Sequence, residues 1–206
     1  VTLVATSNRP PDDLYKDGLN RQLFVPFIEM LKQALDVVAV RGPVDFRLDR
    51  LRAARTWLSP NDKPCQAEFE RLWADMLDGA PETGATLEVL GRKIRLPRAT
   101  GGMLRSSFAS LCQQALGPQD YLALAERFHT VFLEDIPRLT PDRRDAAKRF
   151  NTLIDALYEA DAKLVALADA EPEALYLAGD GAFEFERTVS RLQEMRSADY
   201  VARVRD

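Results

Sequence analysis

The sequence predicts an α/β protein: a partial parallel sheet with helices, joined to a mixed α/β C-terminal region that contains a β-hairpin. Three observations carry this. Runs such as Thr2–Thr6, Val37–Val40 and Lys163–Ala168 are apolar with little alternation, the pattern of strands buried on both faces. Segments with apolar residues at helical spacing lie between such runs. Thr86–Leu90 and Lys93–Leu96 alternate around Gly91-Arg92, which reads as a hairpin.

Each element follows in order. Residues 2–6 form a strand, and Ser7–Asp13 a polar turn. Residues 19–35 form a helix with Phe24, Phe27, Ile28, Leu31 and Leu35 on its apolar side. Pro26 fits that helix only in its first turn. Val37–Val40 is a second buried strand, closed by Gly42-Pro43. Phe46–Leu58 and Gln66–Leu77 are helical, the latter with Phe69, Leu72, Trp73 and Met76 on one face. After the hairpin, Gly101-Gly102 is a natural joint, and a boundary is expected within 78–104. Gln119–Phe128 is a helix, and Thr130–Leu133 a strand ending at Glu134-Asp135. Thr140 and Pro141 supply an N-cap and a first-turn proline for the next helix. That helix carries Ala146, Ala147, Phe150, Leu153, Ile154, Leu157 and Tyr158 at core spacing. Lys163–Ala168 is a strand, and a last helix covers roughly 184–196. The expected divisions are 1–45, 46–104 and 105–206.

Composition bounds the function. A chain of 206 residues that is 46% hydrophobic can bury a core for one large or two small domains. A net charge of −4 argues against a large nucleic-acid surface. Cys65 and Cys112 lack zinc-site spacing and read as buried thiols in a reducing compartment. The apolar runs are too short to span a bilayer, so a soluble cytosolic protein is expected. The chain opens on Val1, directly inside a strand pattern, an arrangement expected of a fragment.

The sequence also echoes itself. Leu3–Tyr15 and Leu164–Tyr176 share six of thirteen positions at an offset of 161, where chance gives about one. A degenerate second copy and convergent packing of two strand–turn–helix units both account for this.

The strongest chemical signal is the run Leu3–Tyr15, followed by Gly18-Leu19-Asn20-Arg21. A buried strand there delivers an amide, Asn8, at its C-terminal end, where open α/β sheets bind ligands. An amide can hold an attacking water or a phosphate oxygen without adding charge. Arg21 follows at a loop-to-helix junction, from which a guanidinium can reach a neighbouring subunit's phosphate.

This run resembles the sensor-1 strand of AAA+ ATPases, and most of all the ZapE-type ATPases with their mitochondrial relatives. Further matching blocks are Phe128–Leu133 with Asp135-Ile136-Pro137, Arg149–Tyr158 and Phe185–Met195. The resemblance implies a P-loop NTPase fold of the AAA+ type. It implies ATP hydrolysis with ATP and Mg²⁺, with Asn8 as the sensor-1 residue and Arg21 as the arginine finger. Arg187 and Arg191 are the phosphate-sensing candidates near the C-terminus. It further implies a homo-oligomer that remodels a protein partner among division-ring components, in the cytoplasm or at the periphery of the inner membrane. No G-x-x-x-x-G-K-[ST] pattern occurs in the sequence. The phosphate cradle and its Walker B partner are therefore expected upstream of Val1, and residues 1–206 alone are not expected to hydrolyse ATP.

Other readings stay open beside this one. Residues 44–206 can form a non-catalytic interaction platform. Arg47, Arg50, Arg52 and Arg55 are a solvated helix face or a partner or nucleic-acid contact. His129 is a hydrogen-bonded structural residue or a general base. Glu134-Asp135 caps a strand, pairs with Arg143 or Arg144, or binds a metal. No metal ligand set is assigned.

Overall fold

The computed structural model describes residues 11–14, 21–37, 51, 54–179 and 181–203. Asn8, the strand at 2–6 and nearly all of the one at 37–40 lie outside them. Contacts divide the chain into two units, 1–44 and 45–206.

In the first unit, a 3₁₀ turn at Pro11–Asp13 precedes α1, Arg21–Ala34. Pro26 falls at the sixth helical position rather than in the first turn, so the Gln22 carbonyl has no in-helix donor. Ile28 is buried, while Leu23 and Met30 on the opposite stripe are exposed.

The second unit is organised by one five-stranded sheet. Its strands are β1 (Trp57–Leu58), β4 (Arg98–Thr100), β5 (Met103–Ser107), β6 (Thr130–Ile136) and β7 (Lys163–Ala168). Their spatial order is β1-β7-β6-β5-β4, parallel except for the antiparallel β4–β5 pair. The hairpin β2 (Ala85–Val89) and β3 (Arg92–Leu96) forms a separate ladder turning at Leu90-Gly91. The Gly101-Gly102 joint is a tight turn between β4 and β5, so residues on both sides of it share one sheet.

Strand alternation sends side chains to two cores. On one face Met103, Phe132, Val165 and Leu167 meet Phe69, Leu72, Trp73 and Met76 of α2, Lys63–Leu77. Phe132 takes edge contacts from Phe69 and Trp73 at ring separations of 5.4 and 5.0 Å, a favoured quadrupole arrangement. On the other face Leu104, Val131, Leu133, Leu164 and Ala166 meet three helices. These are α3 (Pro118–Arg127), α4 (Arg144–Glu159) and α5 (Ala182–Met195). A short helix α6, Ala198–Val201, follows.

Local chemistry explains the boundaries. Asp62 caps α2 by accepting from the Cys65 amide at 3.0 Å, and Pro64 sits in its first turn. Asp120 is buried at the start of α3, accepting from the Gly117 amide at 2.8 Å and, with its two oxygens, from Nη2 of Arg92 at 2.9 and 2.8 Å. That ion pair ties the hairpin to the helix.

Three expectations are corrected. The helix expected over Phe46–Leu58 does not reach its end: Trp57 and Leu58 form β1 beside β7. Pro60 follows closely and disfavours helical backbone before it, and both apolar side chains are buried, one on each face. The strand expected to end at Glu134-Asp135 runs on to Ile136 through an irregularity, with Asp135 in left-handed backbone (φ 60°). Residues 98–107, read only as a joint, supply two strands.

Gly102 has φ +81°, and a Cβ there would lie 2.6 Å from the His129 ring. That ring is held at 3.1 Å by the Gly101 carbonyl and at 2.9 Å by the Thr130 hydroxyl. Gly102→Ala is expected to cost about 1–3 kcal/mol. Gly101→Ala, whose Cβ meets nothing within 4 Å, is expected to cost about 1 kcal/mol. Urea unfolding midpoints of the two variants check the order.

Glu82 anchors α2 to β4. It accepts two bonds from Arg98, each 2.8 Å, and one from the Trp73 indole at 3.0 Å. The Arg98 hydrogen bonds hold its carboxyl down to about 2, against an ordinary 4.5. The unfolded carboxylate therefore takes up its proton first as pH falls, and the stabilisation is lost between roughly pH 4.5 and 2. Thermal unfolding across that window should show a smaller acid-induced loss in Glu82→Gln than in the parent.

Candidate functional site

Three groups of polar side chains stand out, and the sequence points to two of them. In the first unit, Arg21 begins α1. Its guanidinium Nη2 donates to the Asp12 carbonyl at 2.5 Å. The Asp12 carboxylate accepts from Lys32 at 2.8 Å, and that bond holds the lysine's pKa above its ordinary value. Asp12 thus ties the 3₁₀ turn to both ends of α1. The Arg21 Nε is buried and has no hydrogen-bond partner among the described residues. A buried donor left this way is costly unless an acceptor reaches it.

The echo at offset 161 has a structural counterpart. Pro11–Asp13 and Pro172–Ala174 are both 3₁₀ turns. In the C-terminal copy the turn follows the fully buried strand β7. The corresponding first strand lies outside the described residues.

Arg187 and Arg191 lie on α5 and face α4. Arg191 pairs with Asp155 and, at 2.6 Å, with Glu159, and its guanidinium stacks 4.7 Å over the Tyr158 ring. It is mostly buried. Arg187 is 3.4 Å from the same Asp155 and its side chain is 64% exposed, so it alone of the two is open to a ligand. Arg21 belongs to the first unit, and Arg187 and Arg191 to the second.

The third group was not read from the sequence. Arg105, nearly buried on β5, forks onto Glu70 of α2 at 2.6 and 2.5 Å. It also donates to Glu134 of β6 at 3.1 and 2.5 Å, and lies 5.0 Å over the Phe69 ring. Burial opposes its charge, but the bonds to Glu70 and Glu134 outweigh this and raise its pKa above the ordinary arginine value. The same bond to Arg105 lowers Glu70. Glu134 thus pairs with Arg105, not with Arg143 or Arg144 as one reading had it. Asp135 accepts from the Asn61 amide at 3.2 Å. A groove of about 400 Å³ opens here, lined by Lys63, Gln66, Glu70, Arg105, Glu134 and Asp135. It lies at the carboxyl end of β6, where α/β sheets commonly bind ligands. Three carboxylates against two cations make it a poor host for phosphate. Among the described residues no cluster of three or more His, Cys, Asp or Glu can hold a metal ion.

Apart from the Glu134-Asp135 pair, no local sequence feature marks this group, since the partners of Arg105 stand 35 and 29 residues away from it. An arginine amid apolar neighbours in Met103-Leu104-Arg105 was the available clue. His129 is bonded at both ring nitrogens. Cys65 and Cys112 are buried and free, and burial pushes both thiols up, away from the reactive thiolate.

The chain matches the family model described as AFG1-like ATPase over residues 1–204. It is 42% identical over 203 residues to the cell division protein ZapE of Escherichia coli K12, covering 98% of this chain and 54% of that protein. It is 34% identical over 235 residues to lactation elevated protein 1 homolog B of Danio rerio, covering 97% of this chain and 47% of that protein. The chain thus spans about half the length of these curated relatives. No solved structure matches it significantly.

Arg105→Ala leaves Glu134 partly buried without its counter-charge and is expected to cost about 3–5 kcal/mol. Replacing both partners, Arg105→Met with Glu134→Leu, is expected to recover most of that loss. Chemical denaturation of the single and double variants checks this, and an equally unstable double variant would contradict it.

Proposed function

Because the chain belongs to the AFG1-like ATPase family, we propose that it is part of an oligomeric AAA+ P-loop ATPase that hydrolyses ATP with Mg²⁺ and remodels a protein partner. The single observation that carries this reading is the family match over residues 1–204. By analogy with the relative named a cell division protein, the partner belongs to the division machinery, and the protein works in the cytoplasm or at the periphery of the inner membrane.

Arg21 fits the part of an arginine finger on a structural ground. It starts a helix, is oriented by the Asp12 carbonyl, and keeps a buried Nε without a partner among the described residues. Asp12 orients the fork without neutralising it, since a carbonyl rather than a carboxylate accepts the bond. ATP with Mg²⁺, when bound, supplies the phosphoryl group and the negative charge that spreads over its oxygens. Arg21 would offset that charge on the adjacent subunit's nucleotide. Asn8 would hold the attacking water by its amide. Of the two C-terminal candidates, Arg187 is open to a phosphate, whereas Arg191 is engaged by Asp155 and Glu159. The phosphate loop is not among these residues and would come from elsewhere in the protein.

A second reading rests on a different observation. Residues 45–206 form a unit with their own two cores, and this unit carries exposed apolar side chains such as Leu177 and Phe183. It would recruit the partner while catalysis resides in the first unit and its surroundings.

Arg21→Ala in the full-length protein tests the catalytic reading. Turnover is expected to fall by a factor of about 10³ or more, with nucleotide binding retained. Unchanged steady-state ATPase activity would remove Arg21 from the mechanism.

A further inference from the structure

The surface formed by the loop after β7 and the first turns of α5 has two unusual properties. Phe183 is 82% and Leu177 74% exposed, although each could have been buried at no polar cost. They flank an open groove of about 530 Å³, lined also by Tyr176, Val189, Glu173 and Glu186. Its floor is rigid. Tyr176 and Phe185 meet edge-on at 5.6 Å and are both buried. A groove of this size holds the side chains of one or two helical turns.

Charge decides the occupant. From Asp169 to Glu186 the sequence holds six acidic residues and no lysine, arginine or histidine. Glu171 is paired with Arg196 at 3.0 Å, and Arg138 lies nearby, donating to the Ala174 carbonyl. Glu173 accepts only from the Gln193 amide, and neither it nor Glu186 forms an ion pair among the described residues. The rim of the groove is therefore acidic. An anionic membrane or a nucleic acid would be repelled. A second copy applying the same patch would set acid against acid, since a two-fold contact is self-complementary only if the patch pairs with itself. An apolar centre with an acidic rim suits one class of partner, a basic amphipathic helix.

We propose that the Leu177–Phe183 groove docks a basic amphipathic helix of a partner protein, with the helix's apolar residues between Leu177 and Phe183 and its lysines or arginines against Glu173 and Glu186. This inference rests on the recruiting reading above and is independent of ATP hydrolysis.

The test uses full-length protein and a fluorescein-labelled helical peptide of about 14 residues, with leucines at i, i+3, i+4 spacing and lysines elsewhere. A second peptide carries glutamate in place of every lysine. Fluorescence anisotropy should show the lysine peptide binding, with affinity falling as salt rises. Phe183→Ser and Leu177→Ser, both at exposed positions, should weaken it about tenfold or more. Glu173→Gln with Glu186→Gln should weaken it and flatten the salt dependence. Equal binding of the glutamate peptide, or unchanged affinity in the serine variants, would overturn the proposal. So would self-association of the parent protein that Phe183→Ser abolishes, since a second copy would then be the occupant. ATPase rates of the same variants separate the two readings: unchanged basal turnover with lost peptide binding supports the groove whatever the role of Arg21.

Discussion

Burial of β6 and β7 on both faces is the constraint on which the second unit depends. Val131, Phe132, Leu133, Val165 and Ala166 are all essentially inaccessible to water. Backbone groups in such strands must be satisfied by the ladders alone, and β6 is bonded on both sides, to β5 and β7. Any charge placed inside must bring its own partners. Arg105 does so: Glu70 arrives from the covering helix and Glu134 from the neighbouring strand. One guanidinium thereby fixes the position of α2 relative to two strands, while Phe69 covers its flat face.

The same constraint distributes function over the molecule. A sheet covered on both sides leaves its helix termini, strand ends and connecting loops for chemistry and contact. The loop after β7 displays Leu177 and Phe183, and the carboxyl end of β6 opens the Glu70–Arg105–Glu134 groove. Arg21, proposed as the arginine finger, belongs to the other unit.

Much of this architecture was legible from periodicity. Lys163–Ala168 is the strand expected from its uninterrupted apolar run, and α4 carries the core residues its spacing named. The hairpin and α2 follow the alternation and the 3.6-residue spacing within one to three residues. Each of these elements carries its burial pattern within one uninterrupted segment, so local order suffices to reveal it. β1, β4 and β5 were not legible. Each is short, and Arg98 and Arg105 interrupt the apolar pattern because their partners are supplied by other elements. The site shows the same division. Arg21 is proposed from a local run of residues, whereas the pairing of Arg105 with Glu70 and Glu134 was not legible, being assembled across some thirty residues of chain.

The amino-acid order by itself determined the fold class, the positions of the long helices and the family, since these depend on spacing within a single segment. Only the tertiary structure decided which charges meet. It gave Glu134 to Arg105, and it gave Asp155 to both Arg187 and Arg191 while leaving only Arg187 open to solvent. It also left Phe183 uncovered. The physical reason is that ion pairing and burial are set by distance in space, and a chain that returns to its own sheet after thirty residues carries no local trace of where it will land.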